Sequence, residues 1–360
     1  MQAPTPPEII AEAGSNHNGS PDRAKALIDL AANAGASSVK FQFIFPEGLY
    51  VPEFFDGQGY VRNPAFDARK KEEMAESDWE AIWAHAGARG IAISASVFCE
   101  RGISLLSRLG APYVKIASTD LTNHELIGQA CAAFDNVILS TGMATLAEID
   151  TTVRYVRAGF PDTQLRLMHC VSAYPCPLSS ANVQRVALLK SCFGLPVGYS
   201  DHTGGEVSAA MAITQGATFF EKHFTTDRSL PGFDHAHALE GEELDSYVDT
   251  LRAAHQSWQA DSNASSPQES VTRIRARRGV YAASDLPQGH VLERKDLMFV
   301  RPSSDFAGND LSALIGETLH HPVRRYEALA AANGVRRGES NWQKASDYWK
   351  GEMREKGMDD

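Results

Sequence analysis

At 360 residues and 39.1 kDa the chain exceeds one ordinary domain, although a closed α/β barrel of roughly 250 residues can form a single unit. Hydrophobic residues at 43% and charged ones at 22% exclude wholesale disorder and fibrous classes. A net charge of −11 argues against nucleic acid or an anionic membrane as partner, and admits an anionic small molecule only where cations cluster locally. No apolar run reaches the roughly 18 residues of a membrane span. The opening MQAPTPPE has neither the basic nor the apolar stretch of a secretory signal. Cys99, Cys131, Cys170, Cys176 and Cys192 form no CxxC pair, so no disulfide framework is expected and a cytoplasmic setting fits.

Short runs rich in Val, Ile and Phe begin at Ile9, Ser38, Ile91, Tyr113, Asn136, Leu165, Pro196 and Phe219. Ala- and Leu-rich segments with helical spacing separate them, as at Asp22 to Ala36 and Thr145 to Arg157. This alternation predicts βα units around a parallel sheet. Eight units, with no GxGxxG after the first strand, fit a (β/α)8 TIM barrel rather than a doubly wound sheet. The barrel domain is assigned to residues 1–260, closing on a helix from about Glu242 to Gln259. ADSNASSPQES reads as a polar linker, placed at 261–272. Residues 273–335, where short strands are broken by Pro, Gly and charge, form a small β-rich second domain. In the extension at 336–360, Trp342, Ala345, Trp349 and Met353 fall at helical spacing and predict an amphipathic helix packed on the body or on a partner subunit.

Chemistry in such a barrel lies at the C-terminal strand ends. The first strand ends in Glu12, with Asn16 and His17 beyond; the second carries Lys40 and Gln42, the third Ser94 and Ser96. The fourth has Lys115 and Ser118, the fifth Ser140 and Thr141, and the sixth His169, followed by Ser172 and Tyr174. The seventh gives Ser200, Asp201 and His202, and the eighth Glu221 and His223. Residues two apart share a strand face. Lys40 with Gln42, Ser200 with His202, and Glu221 with His223 therefore point together into the barrel mouth, while Lys222 faces the helices.

Any one of these polar groups could be a satisfied structural residue, and His85, His124 and His255, in helical segments, read as surface or packing residues. His202 and His223 differ because they end adjacent strands. Two neutral imidazoles leave most of a divalent ion's coordination sphere open, as Lewis-acid catalysis requires. Two buried lysines from separate strands call for an anion. Ser118, Ser140, Thr141 and Ser200 offer hydroxyls to phosphate or carboxylate oxygens. A Schiff-base lysine is the rival reading, and it leaves the second lysine and the histidine pair unexplained.

IIAEAGSNHNG, VKFQ, YVKIAS, ILSTGM, HCVSAYP, GYSDHT, FEKHFT and DRSLPGFDHAHALE, in this order, resemble the motifs of the sialic acid synthase family. RRGVYAASDLPQGHVL with the later VRP resembles that family's C-terminal antifreeze-like (SAF) domain. The resemblance runs from Glu8 to Val335. It implies condensation of phosphoenolpyruvate with an N-acylated hexose, either N-acetylmannosamine or a diacetamido-trideoxyhexose, to a nonulosonic (sialic-type) acid plus phosphate.

By the same resemblance Glu12 is the catalytic carboxylate, with Glu221 and Tyr174 in supporting catalytic roles. Lys40, Ser96, Lys115, Ser118, Ser140, Ser172 and Ser200 hold phosphoenolpyruvate. His202 and His223 hold manganese, with magnesium or cobalt as alternatives. Tyr174, Glu221, Asp234 and Arg301 stand beside the acceptor sugar, Arg301 reaching from the SAF domain into the partner's barrel in a domain-swapped homodimer. Condensation with another aldose of the octulosonate type, or a catalytically silent sugar-binding scaffold, are the alternatives. The appended domain speaks against the first, and the intact set Glu12, Lys40, Lys115, His202 and His223 against the second.

The sugar end departs from the family pattern. PGFDHAHALEG stands where members commonly read PGPDHKASLEP, so Phe233 replaces a proline, His237 a small residue and Ala238 a serine. His237 reads either as a rim residue or as a further ligand. RPSSDF replaces an RPG-type turn after Arg301, and Ser303 and Ser304 lack glycine's conformational freedom. The loop from Pro46 to Met74 departs from common members, and the family's acceptor-binding asparagine does not align there; Asn63 is only nearby. These changes point to an altered acceptor, such as one used in pseudaminic or legionaminic acid synthesis.

Overall fold

Side-chain alternation along eight short strands builds the first of two units, Met1–Ala260 and Asp261–Asp360. The structure, a computed structural model, describes residues 6–258, 266–306, 311–331, 335–337 and 342–356. All eight expected strands form: Glu8–Gly14, Ser38–Phe43, Ala92–Val97, Val114–Ile116, Asn136–Ser140, Gln164–Cys170, Val197–Asp201 and Phe219–His223. They are counted below as the first to the eighth barrel strand. Each pairs in parallel with its neighbour in sequence, and the eighth returns to the first, closing the barrel. Helices follow the strands and cover the outside, among them Pro21–Asn33, Leu146–Gly159 and Gly241–Trp258. Their starts are chemically marked: the Ser20 side chain accepts from Arg23 N, and Thr145 with Glu148 forms a capping box.

One face of each strand meets the helices through residues such as Val39, Phe41, Leu139 and Val197, which pack with Leu27, Ile28 and Val153. The other face fills the barrel in layers. At the bottom Arg166 pairs with Glu8 at 2.6 Å and lies 3.9 Å over the Phe219 ring. Above them Ile10, Tyr113, Ile138, Met168 and Phe219 form an apolar plug. Two residues farther along the same strands stand Glu12, Lys115, Ser140, Cys170 and Glu221, all lining the mouth. The period-two alternation of strands thus sets a polar site on an apolar floor.

On the outer face, Lys222 turns to the helix layer as expected. Its ammonium lies 3.2 Å from Asp201 Oδ2, donates to Gly205 O at 3.1 Å and sits 5.4 Å from the Tyr247 ring. Asp201 also accepts from Thr203 and Ser208 hydroxyls at 2.7 and 3.0 Å. Among the described residues no helix is long and apolar enough to cross a membrane.

The second unit pairs Gly279–Ala282 with Leu297–Val300, antiparallel, and Leu329–Ala331 with Val335–Arg337. Val280, Leu286, Leu292, Leu297, Leu314 and Leu329 are among its core residues. The linker expected over 261–272 needs correction, because a helix occupies Pro267–Ala276. Ser266 and Glu269 form its capping box with proline in the first turn, a start signal hidden in a Ser- and Pro-rich stretch. The expected terminal helix is Trp342–Glu355. Ala345 is its buried residue, whereas Met353, expected on the apolar face, is exposed. Tyr348 and Glu352 instead meet Arg275 of the earlier helix, at 4.4 Å ring distance and 3.8 Å. After Arg301 the turn forms without glycine. Ser303 donates through N and Oγ to Ile274 O at 3.1 and 2.8 Å, and Ser304 Oγ accepts from Val280 N at 3.0 Å.

The Phe219 ring fits inside the barrel because the neighbouring strand carries Gly198, where a Cβ would collide with it. Gly198→Ala is expected to cost about 1–3 kcal/mol through overpacking, read as a lower urea midpoint. An unchanged midpoint would show that the plug yields freely.

Candidate active site

The mouth cavity is lined by Glu12, Lys40, Gln42, Ser96, Lys115, Ser118, Ser140, Cys170, Tyr174, Ser200, His202, Glu221 and His223, with Phe98 and Ala117. It spans about 390 Å³ including its open entrance, within the range of small-molecule sites. Strand register explains the gathering: Glu12 lies opposite Lys40 on one side and His223 on the other, and Glu221 opposite Ser200.

Two lysines and two glutamates dominate the floor, each at most 5% exposed. Lys40 Nζ lies 2.5 Å from Glu12 Oε2 and 3.4 Å from Glu221 Oε2, and donates to Ser96 Oγ at 2.8 Å. Lys115 pairs with Glu221, which also accepts from Ser200 Oγ at 2.9 Å. Gln42 Nε2 donates to Glu12 Oε1 at 3.0 Å. The two carboxyls diverge. Burial pushes Glu12 up to about 7 despite Lys40, whereas Glu221, although burial opposes it, is held well below the usual range by Lys115 and Lys40. One carboxylate stays ionised and the other is poised near neutrality, the separation expected of an acid–base site.

Beside the lysines Ser140 Oγ is buried without a hydrogen-bond partner. Ser118 and Ser172 hydroxyls lie 3.2 Å apart. Gly142 closes on them so tightly that a Cβ would come within 2.6 Å of Ser172 Oγ and 3.1 Å of Ser118 Oγ. Cations, hydroxyls and close backbone are what an oxyanion-rich ligand needs.

Three imidazoles cluster on the opposite side. The ring centroids of His202 and His223 are 5.6 Å apart, those of His223 and His237 5.0 Å. Tyr174 lies over them, 4.3 Å from His202 and 5.1 Å from His237. His202 Nδ1 donates to Val171 O at 2.7 Å, and its Nε2 meets Ser200 Oγ at 3.1 Å. Burial pushes His202 down to about 4 and His223 to about 3, so both are neutral, the ligating form, at ordinary pH. The donor set suits a divalent cation.

Several strand-end residues turn elsewhere. His169 Nε2 meets Ala181 O at 3.0 Å, Thr141 Oγ1 donates to Met168 O at 3.2 Å, and Ser94 donates to Tyr113 O. None of the three lines the cavity; their partners are backbone carbonyls. Asn16 likewise donates to Phe224 O at 2.8 Å, and His17 packs on Trp79. Asn63 caps the helix Pro64–Glu72, accepting from Ala65 N at 3.0 Å and donating to Val51 O at 2.7 Å. Asp234 lies with His223, its Oδ2 accepting from Ser15 N and Oγ, both at 3.3 Å. Arg301 is an exposed residue of the second unit.

Arg69 was not expected. It is 8% exposed, donates to Ser15 Oγ at 2.8 Å, pairs with Glu72 at 2.9 Å and lies 3.6 Å over the Phe233 ring. In ARKKEE it reads as part of a solvated charge run, and the aromatic substitution at Phe233 was the available signal. Cys170, also on the cavity wall, was read only for what it excluded.

Comparison with known proteins agrees with this geometry. Residues 27–263 match the NeuB family and residues 277–333 match the SAF domain. The N,N'-diacetyllegionaminic acid synthase of Legionella pneumophila is 35% identical over 86% of this chain and 90% of that protein. The N-acetylneuraminate-9-phosphate synthase of Drosophila melanogaster is 31% identical over 89% and 94%. A crystal structure of the N-acetylneuraminic acid (sialic acid) synthetase from Leptospira borgpetersenii in complex with citrate aligns at a TM-score of 0.65 and 31% identity, over 74% of this chain and 90% of that one.

Glu221 is the counter-charge shared by both floor lysines. Glu221→Leu should cost about 3–5 kcal/mol, because it leaves buried ammonium charge uncompensated. Chemical denaturation measures this, and a loss under about 1 kcal/mol would mean that the lysines relax to solvent.

Proposed function

The chain belongs to the NeuB family, and we propose that it condenses phosphoenolpyruvate with an N-acylated hexose to give a nonulosonic acid and phosphate. The observation that carries this reading is the pair of buried ammonium groups, Lys40 and Lys115, entering from separate strands beside an unpartnered Ser140 hydroxyl. An enol phosphate brings two anionic groups to two cations. The printed names of the three relatives given above, each a synthase or synthetase of a sialic-type acid, support an amino sugar as the second substrate.

Lys40 and Lys115, with Ser96, Ser118, Ser140, Ser172 and Ser200, bind the phosphate and carboxylate. Substrate oxygens then take over the Lys40 contact of Glu12, whose carboxylate is left facing the reacting carbon. His202 and His223 hold a divalent cation, with manganese the first choice, which when bound polarises the sugar's aldehyde oxygen. Tyr174, Glu221 and Asp234 orient the sugar. A C–C bond forms between phosphoenolpyruvate C3 and the aldehyde carbon, leaving positive charge at C2 that the Glu12 carboxylate stabilises. Glu12 then orients a water to C2 and takes its proton. The C2–O bond to phosphate breaks and phosphate leaves. Fixing both reactants removes up to about 7–11 kcal/mol of barrier in favourable systems. Arg301 of a second copy, within a homodimer, completes the sugar end; this part rests on the family resemblance.

Phosphate release from phosphoenolpyruvate with manganese, screened over N-acylated hexoses, tests the reading. A diacetamido-trideoxyhexose or N-acetylmannosamine is expected to support turnover, with at least about a 100-fold loss in Glu12→Gln and loss on chelation. Release only with short phosphorylated aldoses would favour the octulosonate type. No release with any acceptor would leave a silent scaffold.

A further inference from the structure

After the eighth strand the chain returns an imidazole and a carboxylate to His223. Asp234 precedes the short turn His235–His237, and one donor atom each from His223, Asp234 and His237 lie within 4.8 Å of one another. Among the described residues this is the trio of His, Cys, Asp or Glu donors that does so. His223 Nδ1 and His237 Nε2 are buried with no hydrogen-bond partner, which is costly unless something else meets them. A purely structural ring in the same loop behaves differently: His235 Nδ1 meets Thr225 Oγ1 at 2.7 Å and its Nε2 meets Asn18 Oδ1 at 3.2 Å.

We propose that His223, Asp234 and His237 together bind a divalent cation, so that this chain offers three protein donors where the family resemblance implies His202 and His223, with Asp234 serving the ion in place of the sugar contact. The ion's role in turnover rests on the synthase reading; its binding does not. Two imidazoles and one carboxylate leave coordination positions for substrate oxygen and water. His202, whose ring lies 5.6 Å from that of His223, borders the same opening.

The loop that carries Asp234 and His237 is held by its own hydrogen bonds. Asn18 Nδ2 donates to Pro231 O at 2.7 Å, and Arg228 Nε to Ala238 O at 3.0 Å, so the loop's backbone is pinned on both sides of its donors. Ligand type then sets preference. Two imidazoles favour later first-row ions such as cobalt, nickel, copper and zinc over magnesium.

Cobalt titrated into metal-free full-length protein, without substrates, tests this by visible d–d absorption and equilibrium dialysis. Wild-type protein should bind one ion. His237→Ala and His237→Gln should each raise the Kd at least about tenfold and alter the band, while His85→Ala, on an outer helix, changes neither. Glutamine preserves bulk and hydrogen bonding, so it remains informative where alanine loosens the loop, and thermal melts establish folding. Wild-type affinity and spectrum in both His237 variants would overturn the site and leave His237 a rim residue. Cobalt binding that depends on His237, in protein that releases no phosphate from phosphoenolpyruvate, would uphold the site and remove the synthase reading instead.

Discussion

Two ammonium groups buried side by side cannot stand without counter-charge, and much of the site follows from that demand. Lys40 and Lys115 are matched by Glu12 and Glu221 within a few ångströms, in surroundings where unpaired charge is heavily penalised. Any anionic ligand must take over part of that pairing. The exchange is possible because the carboxylates are unequal: Glu221 is tied to both lysines and Ser200, whereas Glu12 has one close lysine and a glutamine. A charge network with one loosely tied member can hand a lysine contact to an anionic ligand while Glu221 keeps its own pairing.

A third buried lysine shows what separates a structural ion pair from a functional one. Lys222 is as buried as Lys40 and also faces a carboxylate. Its remaining hydrogen bonds go to the carbonyls of Thr203 and Gly205, and Asp201 is closed off by Thr203 and Ser208. The site lysines face a cavity instead. Lys40 shares its strand-face position with Gln42 in the mouth, while Lys222, one residue off the Glu221–His223 face, is driven into the helix layer. The same residue type is used twice, and strand parity decides between anchoring and catalysis.

That parity is why so much was legible in the amino-acid order. The inward set Lys40, Gln42, Ser200, His202, Glu221 and His223 and the outward Lys222 follow from a period of two, while the strand positions and the closed barrel follow from eight apolar runs alternating with helical segments. His169 and Thr141 stand one residue off the inward Cys170 and Ser140, so the same parity turns them outward, where carbonyls of neighbouring segments capture them. What the pattern could not supply was reach. Arg69 enters from a polar helix through packing on Phe233 and Ser15, contacts without a local signature. The helix Pro267–Ala276 was hidden for the opposite reason, because its capping residues are those that also mark linkers.

The departures from the family pattern fall on loops, and the structure gives a physical reason for this. A change on a barrel strand meets the apolar plug or the charge network and alters both faces at once. Phe233, His237 and Ala238 lie instead in a segment held by His235, Asn18 and Arg228. That anchoring lets side chains be exchanged while the backbone path stays fixed. Phe233 can then hold Arg69 against Ser15, and His237 can stand beside His223, without moving Lys40, Lys115 or Glu12. A change of side chain in this loop is thereby separated from the lysine–glutamate floor, and one end of the cavity can change while the other keeps its charge balance.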